Sequence, residues 1–239
     1  MKKSSNNQKR TSKSISHKSP SSKSSSSEVL TSHSKPKLPN KLILRIENIV
    51  ATIDIHILLD LTLLTQKFKD IEPKDNFPGV ITRFSKPKAT LLIFSSGKIV
   101  VTGVRLESHL PIILEKTLKK LRKAGLVFNE EPEFHIENMV GRADFGTKIN
   151  LDLSSISLES AIYEPEVFPG LIYKVSKPTK ICFLIFSSGK VICTGANNLT
   201  DIQNSLKQLA RYLKTHELLG ENSHDHDIEA PIEDNLLDL

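Results

Sequence analysis

Three groupings in the chain are of the kinds that carry out reactions. Glu164 and Glu166 share the loop Tyr163-Glu164-Pro165-Glu166-Val167-Phe168, a pairing of the kind a general acid and base form. His224-Asp225-His226 has donor types suited to a metal. Cys182 and Cys193 are the chain's two thiols. None leads to an active site. Nothing near the glutamates supplies a nucleophile, a metal site or a polar pocket. Two histidines in an acidic tail are more often solvated than bound. Two cysteines build neither a disulfide framework nor an ordinary zinc site; they fit a reducing compartment and read as reduced strand residues. The expectation is no enzyme, no metal and no cofactor. A fourth grouping concerns recognition. Asn48 and Asn138 each lie in an apolar, β-branched run, where asparagine is depleted for want of β propensity. A planar amide held there can donate and accept hydrogen bonds on the surface of a sheet.

The chain that must position these amides has 239 residues, with 33 Lys and Arg against 27 Asp and Glu, a formal charge of +6. That balance favours a polyanionic partner. Unbroken apolar runs are only a few residues long, and the N-terminus offers charge and Ser where a signal peptide needs an apolar stretch. A soluble chain that is not exported, with no membrane partner, is expected. Residues 1–40 hold 14 Ser, nine Lys or Arg and a single acid, Glu28, and should be a disordered tail. Residues 217–239 carry eight acids and no Lys or Arg, an acidic C-terminal tail. The tails cancel at +8 and −8, so residues 41–216 keep +6 of their own.

Within that body the chain repeats itself. The segment from Leu91 to Gly103 (LLIFSSGKIVVTG) recurs from Phe183 to Gly195 (FLIFSSGKVICTG), identical at nine of thirteen positions. Phe77-Pro78-Gly79 matches Phe168-Pro169-Gly170, and both are followed by Ser-Lys-Pro. Glu47-Asn48-Ile49-Val50 matches Glu137-Asn138-Met139-Val140, with the offset drifting only from 90 to 92 residues. Two units, 41–127 and 128–216, are joined by so short a link that one pseudo-twofold body is expected.

Each unit reads as strands followed by a helix. Leu42 to Val50 alternates loosely, and Leu91 to Phe94 and Lys98 to Thr102 are β-rich runs joined at Ser-Ser-Gly, the pattern of a hairpin. Leu110, Ile113, Leu114, Leu118 and Leu121 fall at helical spacing among Lys116, Lys119, Lys120, Arg122 and Lys123, and Gly125 follows as a stop. Ile202, Leu206, Leu209, Ala210 and Leu213 repeat this helix. Shorter helices are expected after Asp60 and around Leu153 to Ser160. A sheet covered by helices on one face leaves the other open, and apolar residues there form a patch that must bind something. One strand parity puts Leu92, Phe94, Val100, Thr102, Leu184, Phe186, Ile192 and Thr194 on a common face.

Across residues 41–216 the paired Asn-Ile-Val and Asn-Met-Val, Phe-Pro-Gly, Leu-Ile-Phe-Ser-Ser-Gly-Lys and Thr-Gly motifs resemble the core of the TATA-binding protein family. The two Phe-Pro-Gly motifs and the acidic C-terminal tail look more like its archaeal branch. The resemblance implies an α+β fold. A pseudo-twofold saddle would set a curved antiparallel sheet of about ten strands on the DNA minor groove, with four helices on the convex face. It implies a general transcription initiation factor that binds and bends TATA-box promoter DNA and recruits transcription factor B and, indirectly, RNA polymerase. It would act as a monomer on DNA, with a dimer off DNA left open. Its place would be with the genome, in the cytoplasm (nucleoid) if archaeal and in the nucleus if eukaryotic.

Site roles follow from the same resemblance. Phe77, Phe94, Phe168 and Phe186 would enter the first and last base steps as wedges, and Pro78 and Pro169 would belong to the minor-groove readout. Asn48 and Asn138 would donate to the A N3 and T O2 acceptors, where guanine's N2 amino group finds no room. Thr102 and Thr194 would be second donors, and Val50, Val140, Val100, Ile192, Leu92 and Leu184 would line the floor. Arg83, Lys88, Lys98, Lys174 and Lys190 match phosphate-contacting positions. Asn76 stands where many relatives have Arg, and Val104-Arg105 and Ala196-Asn197 vary the family's usual Gly-Ala-Lys, which thins those contacts. Glu164, Glu166 and Val167 fall on the stirrup loop that would dock transcription factor B. Phe84 and Phe183, of opposite parity, should be core. Two other readings stay open: a diverged paralogue acting mainly as a protein scaffold or on non-TATA promoters, and an enzyme or ligand carrier on a helix-grip-like sheet.

Overall fold

The computed structural model describes residues 41–128, 130–220 and 235–238. The expectations for residues 1–40 and for His224-Asp225-His226 lie outside the described residues. The first copy lays down β1 (Lys41–Asp54), α1 (Leu61–Lys67), β2 (Ile71–Pro73), β3 (Gly79–Ser85), β4 (Lys88–Phe94), β5 (Lys98–Val104) and α2 (His109–Lys123). The second repeats the order with β6 (Phe134–Asp144), α3 (Leu151–Ser157), β7 (Ala161–Ile162), β8 (Leu171–Val175), β9 (Ile181–Ile185), β10 (Lys190–Ala196) and α4 (Leu199–Thr215). A short strand, β11 (Asn235–Asp238), follows near the C-terminus. The second short helix starts two residues earlier than the Leu153 expected, because the Asn150 side chain accepts from the Leu153 N–H and caps it there. Asp60 caps α1 in the same way.

The strands form one open, curved antiparallel sheet in the order β2-β3-β4-β5-β1-β6-β10-β9-β8-β7, with β11 paired to β1 off this path. Its centre is the pair β1 and β6. There Asn48 lies opposite Val140 and Val50 opposite Asn138, flanking the pair Ile49 and Met139. Because Asn48 and Asn138 are repeat equivalents, this crossed register puts the pseudo-twofold axis at Ile49 and Met139. The internal repeat thus becomes a single symmetric body.

Strand alternation divides the sheet into two faces. Leu42, Leu44, Ile49, Ala51, Leu91, Ile93, Ile99, Val101, Met139, Ile185 and Val191 are buried in a core shared with the helices. Leu110, Ile113, Leu118 and Leu121 of α2 and Ile202, Leu206, Leu209 and Leu213 of α4 close that core. Phe183 is 1% exposed, worth about 1.5–3 kcal/mol of burial, and Phe84 is half-buried against the same core. Lys120 ties α2 to the sheet by hydrogen bonds to Asp70 and Thr82, and it holds the Asp70 carboxyl below the ordinary carboxylate range. Leu218 and Leu219 are buried and Ile149 bridges to Leu219, so the packed body continues through Gly220, where the Gly220 N–H donates to Lys148 O at 2.7 Å. Among the described residues no helix is long and apolar enough to cross a membrane.

Candidate nucleic-acid interface

The sheet face away from the helices carries the other parity of every strand. Asn48, Val50, Thr102, Val100 and Leu92 of the first copy, and Asn138, Val140, Thr194, Ile192 and Leu184 of the second, are all half-buried there. Leu92 lies across from Val100, and Leu184 from Ile192, so the floor is built from matched cross-strand pairs. Ile81 and Ile172 join it opposite Leu92 and Leu184, two floor positions that the sequence reading did not include. Their signal was present, since each closes the repeated Phe-Pro-Gly-x-Ile segment. The result is a long apolar strip with two amides near its centre.

Each amide is fixed by the same small device. The Gly103 N–H donates to Asn48 Oδ1 at 2.7 Å, and the Gly195 N–H donates to Asn138 Oδ1 at 2.9 Å. A backbone N–H must face an acceptor, so Oδ1 is pinned and Nδ2 is turned away from it. The hydroxyls of Thr102 and Thr194 lie 3.3 and 3.2 Å from the respective Nδ2 atoms. An amide nitrogen has two hydrogens, and threonine engages one of them. The other is a donor at the open face. Gly103 and Gly195 can aim their N–H groups because they bulge out of the ladder at φ of +81° and +107°, where a Cβ would be strained. The repeated Thr-Gly motif is the sequence signal for these two glycines.

The four phenylalanines form two pairs. Phe77 and Phe94 have ring centroids 5.4 Å apart at 59°, and Phe168 and Phe186 are 5.9 Å apart at 64°. Tilted packing of this kind lets each ring support the other. Gly79 and Gly170 make room: a Cβ at Gly79 would sit 2.6 Å from Ile93 O, and one at Gly170 would sit 2.8 Å from the Phe168 ring. All four rings are half-buried, and Pro78 and Pro169 beside them are exposed. Each pair sits where an outer strand, β3 or β8, meets β4 or β9, so the pairs occupy opposite halves of the sheet.

Arg83, Lys88, Lys98, Lys174 and Lys190 are exposed and share the strand parity of the open face. Arg83 also pairs with Glu72 at 3.8 Å across a solvent-exposed gap. Beyond them, Glu47 at the β1 bulge binds Arg105 Nη2 at 3.3 Å and Arg142 Nε at 3.2 Å, a cluster the sequence reading missed because it joins three distant segments. Glu164, Glu166 and Val167 are exposed on a turn closed by the Val167 and Phe168 N–H groups donating to Glu164 O. Val167 is 79% exposed. Cys182 and Cys193 are free thiols in β9 and β10, and burial pushes Cys193 up to about 12, so it is an inert core residue.

This geometry can be set beside known proteins. The model of the family described as transcription factor TFIID, or TATA-binding protein, matches residues 43–124 and 133–216. The chain belongs to the TATA-binding protein family. The TATA-box-binding protein of Thermococcus celer is 41% identical over 184 residues, covering 76% of this chain and 96% of that one. That of Thermococcus kodakarensis is 43% identical over 183 residues, covering 74% and 94%. A solved structure of Methanococcus jannaschii TBP superimposes with a TM-score of 0.66 at 38% identity, covering 72% of this chain and 99% of that one. The repeated motifs of the TATA-binding protein family therefore mark the two halves of its saddle in this chain.

Proposed function

We propose that this chain is a general transcription initiation factor that binds TATA-box promoter DNA through the minor groove, bends it, and recruits transcription factor B and through it RNA polymerase. The observation that carries this reading is the uncovered apolar strip with two glycine-pinned asparagine amides at its centre and one Phe pair in each half. A·T pairs present only acceptors to the minor groove, and G·C adds an amino donor. Two fixed donors beside Val50, Val140, Val100 and Ile192 match the first and refuse the second. The Phe pairs supply the wedges by which proteins of this family unstack the ends of a site, and Pro78 and Pro169 join the readout surface. Arg83, Lys88, Lys98, Lys174 and Lys190 supply phosphate contacts along the rim.

The exposed Glu164, Glu166 and Val167 project beside the second Phe pair and outside the strip. They are assigned to docking transcription factor B, an acidic loop meeting a basic partner. The protein works as a monomer on DNA, with the genome. A gel shift compares a TATA duplex with a G·C-substituted one at matched salt. Selective binding and a bend in the TATA complex are expected. Equal binding of both duplexes would favour the diverged-paralogue reading instead.

A further inference from the structure

β1 and β6 each extend past the neighbour on their outer side. β5 pairs with β1 only from Ile49 to Asp54, and β10 pairs with β6 only from Met139 to Asp144. Each central strand therefore starts with a stretch whose outer edge its own half of the sheet does not cover. The pseudo-twofold axis makes the two stretches counterparts, but they differ in what they hold. On β1 the edge is taken by β11, antiparallel, with Lys41 opposite Asp238, Leu42 opposite Leu237, Ile43 opposite Leu236 and Leu44 opposite Asn235. On β6, Phe134 to Ile136 pair with β1 alone among the described residues.

Charge tells the edges apart. Residues 41–48 hold Lys41 and Arg45 against one acid, Glu47, whereas the counterpart residues 131–138 hold Glu131, Glu133 and Glu137 and no Lys or Arg. Residues 221–239 carry seven acids and no Lys or Arg. An acidic strand added to β6 would bring acids to an acidic stretch, whereas on β1 it comes to one with net positive charge. An uncovered edge is a row of N–H and C=O groups ready to pair, so main-chain bonds hold the strand and flanking charge selects it. The tether is short. Gly220 is bonded to Lys148, and only 14 residues separate it from Asn235, which keeps β11 at an effective concentration on the order of millimolar.

We propose that the Lys41–Leu44 edge of β1 is a docking site for an extended acidic peptide, and that Asn235–Asp238 of the same chain is its resident occupant. A partner offering such a segment must displace β11 to reach the edge. The inference does not depend on what the open face of the sheet binds.

Amide hydrogen exchange on the full chain tests it, comparing wild type, a variant lacking residues 235–239, and Leu236→Pro, which puts a strand-breaking proline inside β11 without changing charge. Protection in residues 41–45 should fall about ten-fold in both variants, while residues 134–138 stay unchanged. A synthetic peptide of residues 233–239 added to the deletion variant should restore protection, and a peptide with its acids replaced by Lys should not. Unchanged protection in both variants would overturn the proposal. So would protection in the wild type that disappears on dilution, which would make the occupant the tail of a second copy. Rescue by both peptides alike would remove acidity as the selecting feature.

Discussion

In residues 41–127, 15 Lys and Arg stand against 8 acids; in residues 128–216, 9 stand against 10. The halves that share a fold do not share a field. Glu47 is clasped by two guanidinium groups, and its counterpart Glu137 accepts from the Thr52 hydroxyl at 2.5 Å. The turn before Phe77 is Lys74-Asp75-Asn76, and the turn before Phe168 is Glu164-Pro165-Glu166-Val167. Yet the Asn, Thr and Gly devices agree within a few tenths of an ångström, and the Phe pairs within half of one. On the proposed reading, what repeats is the set of side chains that would fit a near-twofold duplex. What diverges lies outside that set.

The largest effect belongs to the wedges. Phe77→Ala with Phe94→Ala, and Phe168→Ala with Phe186→Ala, should each weaken TATA binding by about 2–4 kcal/mol, the range for truncated aromatic anchors. Both should reduce bending in a fluorescence end-to-end assay. Circular dichroism should stay native, since these rings lie on the open face. A folded double mutant with unchanged bending would break the assignment for its half, and a gap of more than ten-fold between the two would break the equivalence.

Recruitment should be one-sided. Glu164→Arg with Glu166→Arg is expected to leave binary DNA binding near wild type and to abolish the supershift with transcription factor B. The matching change in the first half, Asp75→Arg, should leave the supershift intact. If Asp75→Arg abolishes it instead, docking belongs to the other loop.

Much of this was legible because the chain says everything twice. The repeat located both Phe pairs, both asparagines and the floor, and the apolar spacing of α2 and α4 marked the core-facing helix sides. Short-range signals also set α1 through Asp60. The sequence could not supply which atoms hold the amides in place. Gly103 reaches Asn48 across 55 positions, and the bulge that turns its N–H is set by β1 and β5 losing register between Ile49 and Ala51. The Glu47, Arg105 and Arg142 cluster was hidden for a similar reason: it exists only once β6 lies beside β1. The strand at Asn235–Asp238 was read simply as acidic tail, because four residues of mixed type carry no periodicity until an edge receives them.

Readout should be symmetric and of middle size. Asn48→Asp keeps an acceptor for the Gly103 N–H and the Thr102 hydroxyl, so the fold should tolerate it. At the open face it replaces a donor by a charge facing the A N3 and T O2 acceptors. A loss of roughly 1–3 kcal/mol is expected, the range for one base contact, and Asn138→Asp should match it. Titrations at matched salt decide the point. If neither variant loses affinity, these amides do not touch the bases.

The smallest effect is on stability, and here the halves should part. Alanine at Gly103 must adopt φ near +81°, a strain of about 1–2 kcal/mol, but its Cβ meets nothing closer than 4.0 Å. Alanine at Gly195 would bear the same strain at φ near +107°, and its Cβ would also press 2.5 Å from Lys180 O, a backbone atom that cannot swing aside. Gly195→Ala should therefore lower the denaturant midpoint clearly more than Gly103→Ala. Both should lose TATA affinity, because each shifts the N–H that fixes its asparagine. Equal midpoints for the two variants would mean that the β9 and β10 ladder relaxes around the added methyl, and that the second half is as forgiving at its bulge as the first.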